Sequence, residues 1–452
     1  MEPRPVAAGP DAKELEGYTQ AEGLHEFQLR HLDHTDLFGI FMGVHALPGS
    51  VMLLHTTVGC KFKTQLHLVD HDWFHQDSHN ERLWTGVDDA RLIQGSGRRL
   101  IEFATTWYER RKPSVFVVTT NAAVELSSFD VEAAVAELRE LLPCPVLLIK
   151  APGYDGSLWR GYRRMLESVT GLLDWTVQAE PDRVALAGYL FDRFEMEHAA
   201  NLSEIRRLLK GIGLTLSGTL LGGEPLPALA QVTRAAHIAL LPYAHQLEGS
   251  LGRPGRRVTP LDLPVGLHGT GVFLRKLGLA AGLAPGIVED AIERELARAV
   301  PLVSRAARRL SGVRVAVFLD TPMAAAVCAF LTEIGCAVPL VCLTDGDEGT
   351  EDSFVEAAAR LGATFPAAPR IMAGPSRDQA MAAFREEIER EHVPLIVGSS
   401  LERAALFEGQ SSVIEMGYPS VDKHFVYPLP WMGYNGAVAL VQRFLDALGS
   451  AW

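Results

Sequence analysis

The sequence predicts an α/β protein of three Rossmann-like domains, each a parallel sheet flanked by helices. Short apolar runs such as Val51-Met-Leu-Leu-His55, Ser114-Val-Phe-Val-Val-Thr-Thr120 and Val146-Leu-Leu-Ile149 end in turn residues and alternate with longer stretches of helical period. Strand, helix, strand in alternation requires crossover helices and so a parallel sheet. The pattern then recurs twice, and 452 residues exceed what one core ordinarily holds. We divide the chain into a flexible tail at 1–21, a first domain at 22–178, a second at 179–304 and a third at 305–452.

Composition narrows the function. An apolar fraction of 48% with 21% charged residues describes a soluble globular chain, and a net charge of −13 argues against a nucleic-acid surface, while acidic substrates would need a local basic pocket. Five cysteines, at 60, 144, 328, 336 and 342, form no CxxC pair, which argues against a disulfide framework and for a reducing compartment. Residues 1–20 lack an apolar leader core, and no run of about 18 apolar residues occurs, so a cytoplasmic protein without a membrane span is expected.

In chain order, Leu37-Phe-Gly-Ile-Phe-Met-Gly-Val-His-Ala-Leu reads as an apolar helix leading into the strand at 51–55. Gly95-Ser-Gly97 opens a helix over 98–111; without a third glycine or a preceding strand it is no dinucleotide fingerprint. After the strand at 114–120 come a helix near 130–142 and a strand at 146–149. The second domain has strands at 184–189 and 214–221 around a helix that Asn201 caps, with Glu204 three residues on as its box partner, and then a helix and strand over 231–243. A charged helix at 286–310 leads to the third domain, with strands at 313–320, 338–343, 364–365 and 394–397 and a last helix at 436–448. Cys144, Cys328, Cys336 and Cys342 lie in apolar segments and read as core packing.

The candidate site follows the first strand. Ligands of parallel sheets gather at the carboxyl ends of strands, where Cys60, Asn121 and Gly153 emerge. A thiolate just past a buried strand is rigidly held, and Gly59 lets backbone N–H groups approach what the sulfur binds, so Cys60 is the candidate metal ligand. Beyond it His67, His71, His75 and His79 recur every four residues, one face of a helix able to bind metal or line a pocket, or else a solvated His-rich segment. His237, His245 and His268 read as structural or surface histidines.

From residue 22 onward the chain resembles the component 1 proteins of nitrogenase and their relatives, the dark-operative protochlorophyllide and chlorophyllide reductases and the cofactor-assembly scaffolds. His55-Thr-Thr-Val-Gly-Cys60 is similar to the family's His-Gly-Pro-x-Gly-Cys turn, and Val117-Val-Thr-Thr-Asn121 to its strand ending Thr-Thr-Cys. Pro264-Val-Gly266 with Thr270, and Gly417-Tyr-Pro419-Ser-Val-Asp422-Lys423 with Gly433-Tyr434-Asn-Gly436, resemble its later motifs. Where the resemblance implies two further cluster cysteines, this chain has His34 and Asn121, leaving Cys60 alone. It then implies a [4Fe-4S] cluster shared with a homologous three-cysteine subunit, Asn121 or His34 hydrogen-bonding nearby; a homodimer pairing Cys60 and His34 of each copy is the variant. The stretch Ile238-Ala-Leu-Leu-Pro-Tyr-Ala-His245 lacks the cysteine that anchors the family's large metal cofactor. The implied activity is ATP-dependent reduction of an unsaturated small molecule, a tetrapyrrole first, with electrons from an iron-protein-like ATPase. No P-loop occurs here, so the ATP site lies in that partner. His34 and Asp36 are the expected proton donors, with the His67–His79 stripe nearby. The rival readings are a non-catalytic scaffold and a structural subunit without a cluster.

Overall fold

The computed structural model describes residues 36–57, 81–88, 95–125, 130–151, 157–189, 197–346, 349–400, 402–403, 411–418, 420, 427 and 429–450. Three sheets form, every strand pairing within them is parallel, and helices flank them. The first has the order β2-β1-β3-β4, from β1 (Ser50–His55), β2 (Glu81–Trp84), β3 (Val115–Thr120) and β4 (Val146–Ile149). The second repeats this as β6-β5-β7-β8, from β5 (Glu180–Ala187), β6 (Thr215–Thr219), β7 (Ala235–Leu240) and β8 (Arg257–Pro260). The third is β11-β10-β9-β12-β13, from β9 (Val315–Leu319), β10 (Leu340–Leu343), β11 (Arg370–Ala373), β12 (Leu395–Gly398) and β13 (Ser412–Glu415). Strand order therefore reverses between β1 and β3, β5 and β7, and β9 and β12, and each reversal opens a crevice at the carboxyl edge.

β1 and β3 are buried at every position because helices cover both faces, so each face takes alternate residues of a continuous apolar run. Met52, Leu54, Val115 and Val117 face the large central core; Val51, Leu53, Phe116 and Val118 face a smaller core under α2 (Gly97–Arg111) and α3 (Val131–Leu141). On the central side lie α1 (Asp36–His45) and α4 (Leu158–Thr170), which cross through two glycines. A Cβ on Gly39 would meet the Leu158 carbonyl, and one on Gly161 the Asp36 carbonyl, so the backbones touch where side chains would hold them apart.

The second and third sheets are knitted together by helix ends. In α5 (His198–Gly211) Asn201 is an interior residue, which corrects the reading of Asn201 and Glu204 as that helix's own capping box. Asn201 Oδ1 accepts from Trp431 N at 2.9 Å and Met432 N at 3.1 Å, and Glu204 accepts from Asn435 N at 3.1 Å. The pair caps the last helix, α11 (Gly433–Ser450), because residues three apart share one helix face and both point across to its orphan N–H groups. α6 (Gly266–Ala280) is capped likewise by Glu333 from α8 (Thr321–Glu333), through Leu267 N at 3.0 Å and His268 N at 3.1 Å. Gly433 N donates to Pro264 O at 2.7 Å, so the motifs around 264–270 and 433–436 join the domains.

Sequence reading missed β2, β8 and β13 and expected a strand at 364–365 where β11 forms at 370–373. All four are edge strands. An edge strand buries less and carries charge or proline, as in Glu81-Arg-Leu-Trp84 and Arg257-Val-Thr-Pro260, so its apolar signal is weak. Phe365 instead packs on Phe354 with ring centroids 6.5 Å apart. Among the described residues no helix is long and apolar enough to cross a membrane.

Candidate functional site

The site is built by what leaves the carboxyl edge of the first sheet. β1 and β3 are paired in register to their ends, His55 opposite Thr120, so the segment containing Cys60 and the one beginning with Asn121 start side by side at the reversal of strand order. α1 precedes β1 through a tight turn and runs back along it, which brings its N-terminal Asp36 to the same edge. Arg164 fixes this position: its Nη1 donates to the carbonyl of Lys150, just past β4, at 2.7 Å, and lies 3.7 Å from Asp36 Oδ2. Cys60, Gly59, His34, His67, His71, His75 and His79 lie outside the described residues. Asp36 and Asn121 are described, buried, and brought to one edge by the topology.

On the side of the smaller core the edge is locked. His55 is buried and shares a 2.7 Å hydrogen bond between Nε2 and Ser96 Oγ, and burial pulls its imidazole down to about 4, so it is neutral at pH 7. Thr120 donates to Glu125, and Asn121 Oδ1 accepts from Val124 N at 3.3 Å, capping the short turn of helix after β3. Thr56 N donates to Thr85 Oγ1 at 3.3 Å while Thr56 O accepts from Val87 N at 2.9 Å, which pins the exit of β1 to that of β2.

On the central side two hydroxyls are left over. Alternation from Met52 and Leu54 and from Val115 and Val117 turns Thr56 and Thr119 to this face. Both side chains are wholly buried, and neither Oγ1 has a hydrogen-bond partner among the described residues. An unsatisfied buried hydroxyl costs a fold about 1–3 kcal/mol. Sequence reading missed both; the Thr-Thr pairs at 56–57 and 119–120 were the signal, but which member of each faces inward depends on register.

The remaining candidates divide clearly. Cys328, Cys336 and Cys342 are buried in apolar surroundings that push Cys336 and Cys342 up to about 12, and Cys144 is half-buried, so none of these four is a ready thiolate. His237 bonds the carbonyl of Pro181 at 3.0 Å and His245 those of Leu240 and Leu261 at 3.1 and 3.0 Å, and burial lowers both imidazoles. Between the second and third sheets is a cleft of about 330 Å³ lined by Trp159, Tyr243, His245, Asp262, Thr321 and Asp345. Beneath it Tyr243 donates to buried Asp320 at 2.9 Å, and burial, with Asp345 second, pushes the Asp320 carboxyl up to about 7. Among the described residues no cluster of three His, Cys, Asp or Glu could hold a metal ion.

A chain of three doubly wound parallel sheets is the class of protein this architecture defines. The chain belongs to the nitrogenase component 1 type oxidoreductase family, whose model matches residues 36–448. It is 22% identical over 431 residues to the nitrogenase molybdenum-iron protein beta chain of Acidithiobacillus ferridurans, covering 88% of this chain and 80% of that protein. The Frankia alni beta chain is also 22% identical, over 444 residues, 91% of this chain and 80% of its own. A solved structure titled nitrogenase Cp1 at pH 6.5 superposes with a TM-score of 0.74 at 18% identity, covering 91% of each chain, and so shares the fold.

Proposed function

We propose that this chain is one subunit of a two-component, ATP-dependent reductase, contributing Cys60 as its single ligand to a [4Fe-4S] cluster completed by a three-cysteine homologous subunit. The observation that carries the reading is the convergence of the β1 exit, the β3 exit and the Asp36 end of α1 on one carboxyl edge. One thiolate from this chain cannot satisfy four irons, and Asn121, occupied in capping, is no replacement for a second, so the remaining ligands would come from the partner. An iron–sulfur group bound there supplies storage of single electrons at low potential. Around it the chain's own residues orient and shield. The His55–Ser96 bond and the Thr56–Val87 bond fix the exit of β1, from which the chain leads to Gly59 and Cys60, and the apolar faces of β1 and β3 keep water out. His34 and Asp36 are the proton donors, with Arg164 Nη1 3.7 Å from Asp36 Oδ2 and so beside that carboxyl.

The electron donor is an iron-protein-like ATPase, and the substrate is an unsaturated small molecule, a tetrapyrrole by the single-ligand pattern. The test is iron and acid-labile sulfide in the chain isolated anaerobically with its partner, beside the Cys60→Ala variant. About four irons per heterodimer, lost or spectrally altered in the variant, support the reading. A wild-type complex without iron refutes it and leaves a cluster-free scaffold on the same fold.

A further inference from the structure

The cleft of about 330 Å³ lies at the carboxyl ends of β7, β8, β9 and β10, since Tyr243, Asp262, Thr321 and Asp345 each follow one of those strands within three residues. Open parallel sheets take their ligands at such ends, and the volume suits a compact molecule. Three donors of its lining are already spent inside the protein. Tyr243 gives its hydroxyl proton to Asp320 at 2.9 Å, and Thr321 gives both its N–H and its hydroxyl proton to Asp345 Oδ1, at 2.9 and 2.7 Å. His245 Nε2 lies 3.1 and 3.0 Å from the carbonyls of Leu240 and Leu261, which only accept, so Nε2 carries the ring proton. Burial keeps this ring neutral, and Nδ1, with no hydrogen-bond partner among the described residues, is the lone pair it has to offer.

The charges point the same way. One side of the cleft is α9 (Thr350–Arg360), where Glu356 is exposed and makes no ion pair among the described residues, while Arg360 is spent on Asp262 at 2.9 Å. Asp262, Asp345 and Glu356 stand against Arg163 and Arg360, with the Asp320 carboxyl beneath. Burial first and Asp345 second hold that carboxyl up at about 7, as befits a group without a cation beside it. Trp159 supplies an aromatic wall, its ring packed on Tyr243 with centroids 4.8 Å apart.

We propose that this cleft binds a compact planar organic cation rich in N–H donors, an amidinium or a protonated amino-substituted heteroaromatic ring, between the aromatic wall of Trp159 and the acceptors Asp345, Glu356 and His245 Nδ1. A delocalised cation satisfies both kinds of surface, since its charge is drawn to the face of an indole and its N–H groups pair with carboxylates. An anion of the same shape brings further lone pairs to a lining that already presents them. The cleft lies between the second and third sheets, so this assignment does not rest on a cluster at Cys60.

The experiment titrates the full chain with benzamidine, benzamide and benzoate, one planar shape as cation, neutral molecule and anion, by calorimetry and ligand-observed NMR at neutral pH. Benzamidine binds about tenfold more tightly than benzamide, and benzoate does not bind. Glu356→Gln, at an exposed position that leaves the core untouched, and Asp345→Asn, which still accepts from Thr321, each weaken benzamidine about tenfold. Glu351→Gln, equally exposed on α9 but outside the cleft, leaves the affinity unchanged. Equal affinity for the three probes, preference for benzoate, no binding of any probe, or benzamidine binding indifferent to both Glu356→Gln and Asp345→Asn overturns the assignment. None of these results bears on iron content, so the reductase reading stands or falls separately.

Discussion

Replacing Gly161 by alanine tests the contact that brings Asp36 to the sheet edge. The added Cβ would stand 2.6 Å from the carbonyl carbon of Asp36 and 2.9 Å from its Cα, where carbon–carbon contact needs about 3.5–4.0 Å. Both obstacles are backbone atoms, so no rotamer change relieves the clash; α1 must retreat by about 1 Å. That retreat loosens Phe38, Ile40, Phe41, Met42 and Val44, all buried in the central core. Overpacking of this kind costs about 3 kcal/mol, and alanine's better helix propensity returns about 1, leaving a net loss of about 2 kcal/mol. Chemical denaturation, with amide exchange over 36–45 and 158–170, measures it. The control is Gly211→Ala at the end of α5, where nothing lies within 4 Å of the new methyl and stability should hold or rise slightly. If Gly161→Ala is as stable as wild type with unchanged exchange in both helices, the glycine crossing does not set the position of α1.

Asn201→Ala should cost about 2 kcal/mol by stranding the N–H groups of Trp431 and Met432, and should speed amide exchange in the first turn of α11 before it affects α5. His55 has a folded pKa of about 4 against 6.5 unfolded, so its stabilising contribution is complete above pH 6.5 and is lost as pH falls through 4. That is about 3 kcal/mol at most, read as a shallower acid limb in the pH–stability curve of His55→Asn. Asp320 works in the opposite sense: its folded carboxyl, raised to about 7, favours the fold at acid pH, and that stabilisation fades between about 4 and 7 as pH rises. Denaturation of Asp320→Asn at pH 5 and pH 8 should show a smaller decline than wild type; an equal decline would place the titrating group elsewhere.

The strands buried on both faces were legible as uninterrupted apolar runs, and the helices by their period, because burial on a regular element imposes a spacing that a sequence cannot hide. Edge strands lacked that imprint. The spacing of Asn201 and Glu204 was read correctly as a capping pair but assigned to the wrong helix, since three-residue spacing is equally the repeat of one helix face pointing at something else. The same limit applied at the site: Asp36 and Asn121 could be nominated, but their meeting at one edge depends on α1 doubling back along β1.

By itself the sequence determined the three-fold α/β pattern, the presence of His34 and Asn121 where the resemblance implies cysteines, and the family the chain resembles. These are matters of local period and residue identity. Tertiary structure alone decided that the strand orders reverse beside β1, that Gly39 and Gly161 let two backbones touch, and that the hydroxyls of Thr56 and Thr119 are buried without hydrogen-bond partners among the described residues. Such facts join residues tens to hundreds of positions apart, and only the register of strands and the crossing of helices fixes which side chains meet.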